Sequence, residues 1–272
     1  MKSQAERNGA LLDVREISRR FGGLEALQRL SFGVPRGTIA GVIGPNGAGK
    51  TTLLNAISGI TAPDSGTILF RGETISGLKA SEISARGVHR TFQQVQLFPC
   101  LTALENVLVG MHPRMHSGFL AGALHLPRER REERENRKKA QALLDFFSLG
   151  PKADWAAGHL SIAEQRRLEI CRAAAGDPQL LLLDEPAAGL NLRETESMGD
   201  LILRLKQSGQ TVLLVEHNMN LVMGISDWVV VLCHGSKIAA GSPAEVQRDS
   251  RVVEAYLGAE NDPVGPLDFY QI

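Results

Sequence analysis

The hydrophobic and polar positions of the chain follow two alternating patterns. Short uninterrupted apolar runs at residues 38–43, 179–183 and 211–215 are typical of strands that are buried on both faces of a sheet. Between these runs, apolar residues recur every three or four positions, which is the period of an amphipathic helix. Strands and helices that alternate in this way predict an α/β fold around a largely parallel core sheet.

The start of the chain has a different pattern, which predicts a second layer. From Leu11 to Val34, short alternating stretches are interrupted by a Gly-Gly pair and followed by Pro35, as in antiparallel hairpins. We therefore expect a small antiparallel β layer that precedes the parallel sheet. A further hairpin is predicted from Trp228 to Ile238, around His234-Gly235.

The middle of the chain predicts a helical block. Its apolar residues recur at helical spacing, first as Leu101, Leu104, Leu108 and Met111 and then as Ala140, Leu143, Leu144 and Phe147. We interpret residues 97–176 as a helical subdomain that is inserted in a single domain of residues 1–258, and residues 259–272 as a loop-like tail. Arg and Glu alternate at 127–139, which indicates a solvated helix face rather than a binding patch.

Composition and charge exclude several classes of protein. The 272 residues are 43% hydrophobic, which excludes a disordered or fibrous chain. Lys and Arg number 30, as do Asp and Glu, so no global basic field attracts nucleic acid and we expect no nucleic-acid partner. The separated Cys100, Cys171 and Cys233 indicate a reducing compartment. Without a membrane-spanning apolar run or a secretory signal, we expect the chain in the cytoplasm.

The strongest chemical signal is GPNGAGKTT, which contains the pattern GxxxxGK[ST] between a predicted strand and a predicted helix. Its glycines let backbone amides wrap around phosphate oxygens at the N-terminus of the helix. Lys50 would reach the terminal phosphates, and the Thr51 hydroxyl would bind Mg²⁺. The motif predicts a nucleoside triphosphate site formed by Gly44, Pro45, Asn46, Gly47, Ala48, Gly49, Lys50, Thr51 and Thr52.

Two carboxylates follow the apolar run at 179–183. Because that run predicts a parallel strand, Asp184 and Glu185 are expected at the carboxyl edge of the sheet, beside the phosphate loop. Asp184 suits an outer ligand of Mg²⁺. Glu185 could reach a water aligned with the γ-phosphate and act as general base. The absence of an NKxD motif, which reads guanine, disfavours a GTPase.

Taken together, the motifs resemble those of the ATP-binding subunits of ABC transporters over nearly the whole chain. Phe21 stands in the place of the aromatic residue that stacks on adenine, Gln93 in RTFQQ in the place of the Q-loop glutamine, and His217 in VEHNM in the place of the switch histidine. LSIAEQRR stands in the signature position, so the resemblance implies that Ser161 contacts nucleotide on the opposite subunit. The motifs are most similar to those of branched-chain amino acid importers, and importers of amides or urea are also similar.

The resemblance implies a P-loop NTPase fold of the ABC ATPase type, with ATP and Mg²⁺ as cofactors. Glu185, His217 and Gln93 would be catalytic, and Thr51, Asp184 and Gln93 would face the metal. The chain would energise an importer from the cytoplasmic side of the bacterial inner membrane. Its partners would be a second ATP-binding subunit, which could be identical or different, the transmembrane permease subunits near Gln93 and the helical block, and indirectly an extracytoplasmic solute-binding protein.

The signature departs from the LSGGQ of the family. Ile162 and Ala163 stand in the glycine places and Glu164 in the glutamine place. Because Ala163 puts a methyl group where the backbone should approach phosphate, we hypothesise that this signature supports slower hydrolysis. Ser161 and Glu164 also form the S-x-x-E pattern of a helix capping box.

Two alternative functions stay open on the sequence alone. A soluble ABC-type ATPase that is not tied to transport would be expected to carry long coiled-coil insertions or tandem cassettes, and this sequence has neither. A weakly hydrolysing regulatory subunit is suggested by the altered signature, but the intact Glu185 disfavours it. The sequence does not name the solute, because other subunits select it.

Overall fold

The computed structural model describes residues 9–111 and 127–257. The strands are β1 (Ala10–Phe21), β2 (Leu24–Pro35), β3 (Ile39–Ile43), β4 (Ser65–Phe70), β5 (Glu73–Thr74), β6 (Val88–Arg90), β7 (Leu180–Asp184), β8 (Thr211–Val215), β9 (Trp228–Cys233) and β10 (Ser236–Gly241). The helices are α1 (Lys50–Ile57), α2 (Ala80–Ala85), α3 (Ala103–Met111), α4 (Pro127–Phe146), α5 (Ile162–Ala175), α6 (Leu192–Gln207), α7 (Met219–Ile225), α8 (Pro243–Gln247) and α9 (Ser250–Leu257). The predicted tail at 259–272 lies outside the described residues.

The core sheet has the strand order β10-β9-β3-β8-β7-β6. Its strands are parallel except for the antiparallel pair β9–β10, which is the hairpin predicted around His234-Gly235. Every residue of β3, β7 and β8 is buried, as their uninterrupted apolar runs require. The α/β prediction with a parallel core sheet is confirmed, with each of the three strand boundaries within one residue of the prediction.

A second sheet of order β2-β1-β4-β5 is antiparallel throughout. The hairpin β1–β2 confirms the antiparallel layer predicted at the start of the chain. The strands β4 and β5, which extend this sheet, were not predicted. The tip of the hairpin, at Phe21↔Leu24, lines a cleft together with residues 46–52.

The described helices between β6 and β7 are α3, α4 and α5, together with two short 3₁₀ turns. Helix α5 begins with the predicted capping box, in which the Ser161 hydroxyl accepts from Glu164 N and the Glu164 carboxylate accepts from Ser161 N. The helix ends at Ala175 and is capped by Gly176. Residues 112–126 of the predicted helical subdomain lie outside the described residues, so its bounds at 97–176 stay a prediction.

Two hydrophobic cores cover the two faces of the parallel sheet. Because side chains alternate along a strand, Ile39 and Ile43 of β3 enter one core, whereas Ala40 and Val42 enter the other. Helices α3–α7 contribute to the first core, and α1 with the antiparallel sheet contributes to the second. Because β3, β7 and β8 pair in parallel, their carboxyl ends lie at one edge of the sheet. Within the described part of the chain, no helix is both long and apolar enough to span a bilayer.

Candidate nucleotide site

The segment that follows β3 forms a tight loop that only glycine fits at two positions. Gly44 and Gly49 have φ angles of 154° and 99°. A Cβ atom on Gly44 would lie 2.1 Å from the carbonyl oxygen of Leu232, and one on Gly49 would lie 2.4 Å from that of Ala26. A side chain at either glycine would clash with these backbone atoms, which cannot shift as a flexible side chain can. The loop therefore presents bare backbone to the cleft in front of α1.

Lys50 begins α1 and is buried, with 6% of its surface exposed. Its Nζ donates to the carbonyl oxygens of Gly44 (2.6 Å) and Pro45 (3.0 Å), so the side chain folds back along the loop. A buried ammonium group requires acceptors, and these carbonyls supply them. The loop thus carries a fixed positive charge on its inner side.

The loop forms one wall of a cleft of about 480 Å³. Of the residues predicted to bind nucleotide or catalyse hydrolysis, those that line this cleft are Phe21, Asn46, Gly47, Ala48, Gly49, Lys50, Thr51, Thr52, Gln93, Glu185 and His217. Gly44 and Pro45 contribute through their contacts with Lys50. Asp184 and Ser161 do not line the cleft. Phe21 lies at the rim, 48% exposed, with the Arg19 guanidinium 4.9 Å from its ring centroid.

Glu185 is the centre of the polar group that faces the loop. One carboxylate oxygen, Oε1, lies 2.8 Å from Nε2 of His217, and the other, Oε2, accepts from Nε2 of Gln93 at 3.1 Å. The Glu185 backbone has a φ angle of 49°, a conformation that residues other than glycine seldom adopt and that concentrates at functional sites. The structure thus brings together three residues that are far apart in the sequence.

Asp184 is covered by a buried ion pair that the sequence did not reveal. Only 2% of Asp184 is exposed, and its Oδ2 accepts from Nη2 of Arg90 at 2.9 Å. The same guanidinium donates to Asn55 (2.7 Å) and Ser58 (3.0 Å) at the end of α1. Arg90 therefore connects the strand that carries Asp184 to the helix that follows the phosphate loop.

Glu169 of α5 anchors the segment that carries Gln93. Its Oε1 accepts from the backbone N–H groups of Phe92 (3.4 Å) and Gln96 (3.2 Å). Burial raises the pKa of this carboxyl, although the two backbone donors oppose the rise. Gln93 thus depends on α5 for its place at the cleft.

The C-terminal helix α9 also reaches the phosphate loop. The hydroxyl group of Tyr256 forms a hydrogen bond with the backbone of Gly44, and burial raises the pKa of this hydroxyl far above its usual value. The first residue of the loop is therefore in contact with an element some two hundred positions further along the chain.

Comparison with known protein families shows the family of the chain. The profile of the ABC transporter family matches residues 27–188, more than half of the chain. The chain belongs to the ABC transporter family. The family and the cleft together identify it as an ATP-binding ATPase cassette, and the predicted P-loop NTPase fold of the ABC ATPase type is confirmed. A second profile, described as branched-chain amino acid ATP-binding cassette transporter, matches residues 236–262.

Several curated members of the family are similar over most of the chain. The high-affinity branched-chain amino acid transport ATP-binding protein BraF of Pseudomonas aeruginosa is 44% identical over 249 residues, which cover 91% of this chain and 98% of that protein. LivG of Escherichia coli, with the same description, is 42% identical with the same coverage. Archaeoglobus fulgidus has a probable LivG that is 38% identical and covers 93% of this chain and 98% of its own length.

Solved ABC cassettes share the fold. A nucleotide-free ATP-binding cassette of an ABC transporter has a TM-score of 0.79 and 32% identity, covering 91% of this chain and 98% of its own. The ADP conformation of an ATP-binding cassette of an ABC transporter has a TM-score of 0.80 and 33% identity, covering 92% and 99%.

Sequence reasoning missed four contributors to the site: Arg90, Glu169, Tyr256 and His234. His234 lines the cleft with a φ angle of 46°, and its carbonyl oxygen accepts from Nε2 of Gln28 at 3.0 Å. The sequence marked it only as a hairpin turn. Its place in the cleft results from the contact between two sheets, for which a single sequence has no local signal.

Proposed function

We propose that this chain hydrolyses ATP to energise an importer of branched-chain amino acids. The observation that carries the proposal is the placement of Glu185, His217 and Gln93 around one cleft with the phosphate loop. The assignment of the solute rests on the relatives, whose descriptions name branched-chain amino acid transport. The chain would act from the cytoplasmic face of a bacterial inner membrane and be held there by permease subunits.

ATP would bind with its phosphates along the loop at 44–52. The amide groups of the loop would surround the phosphate oxygens. The Lys50 ammonium group, which donates to the carbonyl oxygens of Gly44 and Pro45, would donate to phosphate oxygens instead. Phe21 at the rim offers a flat apolar face to the adenine ring. These contacts bind and orient the triphosphate.

Hydrolysis would use Glu185 as general base. Its carboxylate takes a proton from a water molecule while the water oxygen bonds to the γ-phosphorus and the bond to the ADP oxygen breaks, which gives ADP and inorganic phosphate. His217 and Gln93 each contact one oxygen of this carboxylate and so fix its plane. An imidazole and an amide in these places can also contact the γ-phosphate and the attacking water.

The donors at the site fit Mg²⁺. A hydroxyl (Thr51), an amide (Gln93) and a carboxylate (Asp184) are oxygen donors, which this ion prefers. Within residues 9–111 and 127–257, no group of three or more His, Cys, Asp or Glu could hold a metal ion by itself. That sparse set suits Mg²⁺, which is bound largely through substrate phosphates and water. Thr51 and Gln93, which line the cleft, would hold the ion, and Asp184, which lies outside the cleft in its pair with Arg90, would contribute negative charge. The ion would neutralise phosphate charge.

Ser161 would act on nucleotide that is bound to a second ATP-binding subunit. It lies outside the cleft of its own chain, at the exposed N-terminus of α5. The next side chain, Ile162, is 62% exposed, and Leu192 at the start of α6 is 73% exposed. An ATP-dependent dimer would bury these side chains and complete each site with the signature of the other subunit.

The permease subunits would bind a groove of about 310 Å³ beside β6. Exposed apolar side chains line it, with Ile60 at 50%, Val109 at 42% and Phe92 at 39%. Phe92 is adjacent to Gln93, which lines the nucleotide cleft, so a partner bound to Phe92 would be coupled to the cleft through this segment. Apolar lining and proximity to the site support this position for the coupling element of a permease.

Two measurements test the proposal. Affinity purification of the tagged chain from membranes, followed by mass spectrometry, is expected to recover permease subunits and a second ATPase; recovery of ribosomal or DNA-repair proteins instead would favour a soluble ATPase. Lys50→Ala is expected to weaken ATP binding at least about 10-fold by calorimetry, since a charged donor to phosphate is lost. Lys206→Ala, which removes a surface ion pair with Asp227, serves as control. Undiminished affinity in Lys50→Ala would refute the nucleotide site.

A further inference from the structure

Glu216 is a buried carboxylate that lies between two segments, the turn after β7 that contains Ala187 and the start of the loop after β8 that contains His217. It follows β8 directly, and only 3% of its surface is exposed. Its Oε1 accepts from the backbone N–H of Ala187 at 2.7 Å. Its Oε2 accepts from the N–H groups of His217 (3.0 Å) and Asn218 (3.3 Å). Both oxygens are thus used, one for each segment.

The two segments carry the catalytic pair. Ala187 lies two positions after Glu185, in the turn that leads to α6, whereas His217 is adjacent to Glu216 itself. Two further contacts join the segments: Glu185 N donates to Val215 O at 2.8 Å, and the Glu185 and His217 side chains meet at 2.8 Å. Glu216 supplies the third contact, and it does so from outside the cleft.

A carboxylate in this place needs a reason, because burial disfavours its charge. Burial raises the pKa of Glu216, and the nearby Glu185 carboxylate adds to the rise, whereas the three backbone donors oppose it. Burying the hydroxyl of a serine or threonine as a loop cap would cost less free energy than burying a carboxylate, but a hydroxyl would not reach both segments. The carboxylate offers two acceptors on opposite sides, so its geometry suits a link between the segments rather than a cap for one.

We propose that Glu216 is a positioning residue for ATP hydrolysis, which holds the backbone of His217 in register with the Ala187 turn and thereby sets the contact between His217 and Glu185. The inference rests on the proposed function of the cleft. It adds that a residue outside the cleft sets the geometry of the base.

Glu216→Gln tests this role with a near-isosteric change. The amide keeps one acceptor oxygen and turns an NH₂ group toward one of the two segments, so one side loses its bond. For the full-length chain with its permease subunits, we expect kcat to fall about 10-fold or more, while ATP affinity stays within about two-fold. Glu245→Gln is the matched control, because Glu245 also accepts from a backbone N–H, that of Ser242, but lies at α8. Should Glu216→Gln not fold, Glu216→Asp keeps the charge with a shorter reach, and the same loss is expected.

A double-mutant cycle separates positioning from a general effect on stability. In a His217→Ala background, Glu216→Gln is expected to lower kcat less than about two-fold further, since the contact that it positions is already gone. An equal loss in both backgrounds, or no loss in the wild type, would overturn the proposal.

The NMR signal of the His217 ring gives a readout that needs no hydrolysis. With ¹³C-labelled histidine and assignment by His217→Asn, Glu216→Gln is expected to shift this signal, and Glu245→Gln is not. An unchanged signal would refute the positioning role. A wild-type complex that hydrolyses no ATP would instead refute the proposed function, and the ring signal would still decide on Glu216.

Discussion

Nε2 of His217 lies 2.8 Å from Oε1 of Glu185, across the carboxyl ends of the neighbouring strands β7 and β8. The two residues are brought together by strand register, because Asp184 pairs with Val215 and each functional residue follows its strand by one or two positions. Gln93 contacts the other oxygen of the carboxylate. The Glu185 carboxylate is therefore oriented from both sides.

Glu185→Gln is expected to abolish turnover while it preserves ATP binding. The amide has the size of the carboxylate but cannot accept the proton of the attacking water, so steady-state hydrolysis should fall at least about 10²-fold. ATP affinity by calorimetry should stay near that of the wild type, and ATP should trap a closed dimer in size-exclusion chromatography. Unchanged hydrolysis would remove Glu185 from the role of base.

Arg90→Met is expected to destabilise the fold by about 3–5 kcal/mol, because it leaves the buried Asp184 carboxylate without its partner. Urea unfolding measures the loss. Arg29→Met is the matched control: Arg29 pairs with Glu16 at the surface, where both side chains are mostly exposed, and its loss should cost less than about 1 kcal/mol. The double variant Arg90→Met/Asp184→Asn should recover part of the stability. Equal effects of Arg90→Met and Arg29→Met would contradict the importance of the buried pair.

Local signals account for much of the fold that could be predicted from the sequence. The strands β3, β7 and β8 are uninterrupted apolar runs because both faces of a parallel sheet are covered, and the capping box at Ser161 and Glu164 spans only three positions. The phosphate loop is likewise contiguous. Roles for Phe21, Gln93 and His217, in contrast, came from the resemblance to a family and stay proposals.

The contacts that position the catalytic group were beyond the reach of a single sequence. Arg90 and Asp184 are 94 positions apart, and Glu216 and Ala187 are 29 apart. From the sequence alone, a single charged residue such as Arg90 or Glu216 cannot be distinguished from one that is exposed to solvent, because its partner is brought close only by strand pairing. The same holds for Tyr256, which needs α9 to fold back across the sheet before its hydroxyl meets Gly44. Long-range packing, rather than local propensity, decides these positions.

Tyr256→Phe is expected to lower stability by about 1 kcal/mol near pH 8, since the hydrogen bond with Gly44 is lost. Burial raises the pKa of the Tyr256 hydroxyl, so above about pH 10 the unfolded chain releases this proton while the folded chain keeps it. The wild type therefore loses stability as the pH rises, and the variant lacks this loss. Urea midpoints at several pH values should converge at alkaline pH. A difference in urea midpoint between the wild type and Tyr256→Phe that does not change with pH would show that burial does not raise the pKa of the hydroxyl.

Ala163→Gly tests whether the altered signature slows hydrolysis. Ala163 is only 4% exposed in the described chain, so its methyl packs within its own subunit, and its loss inside α5 should cost roughly 1 kcal/mol in urea unfolding. In the assembled complex, glycine at this second position of α5 would free the backbone to adjust toward the phosphate of the opposite subunit, and steady-state turnover per site should rise. Ala174→Gly, at a partly buried position near the end of the same helix and outside the groove beside β6, controls for flexibility alone. No gain in rate, or an equal gain in Ala174→Gly, would count against the idea that Ala163 slows hydrolysis.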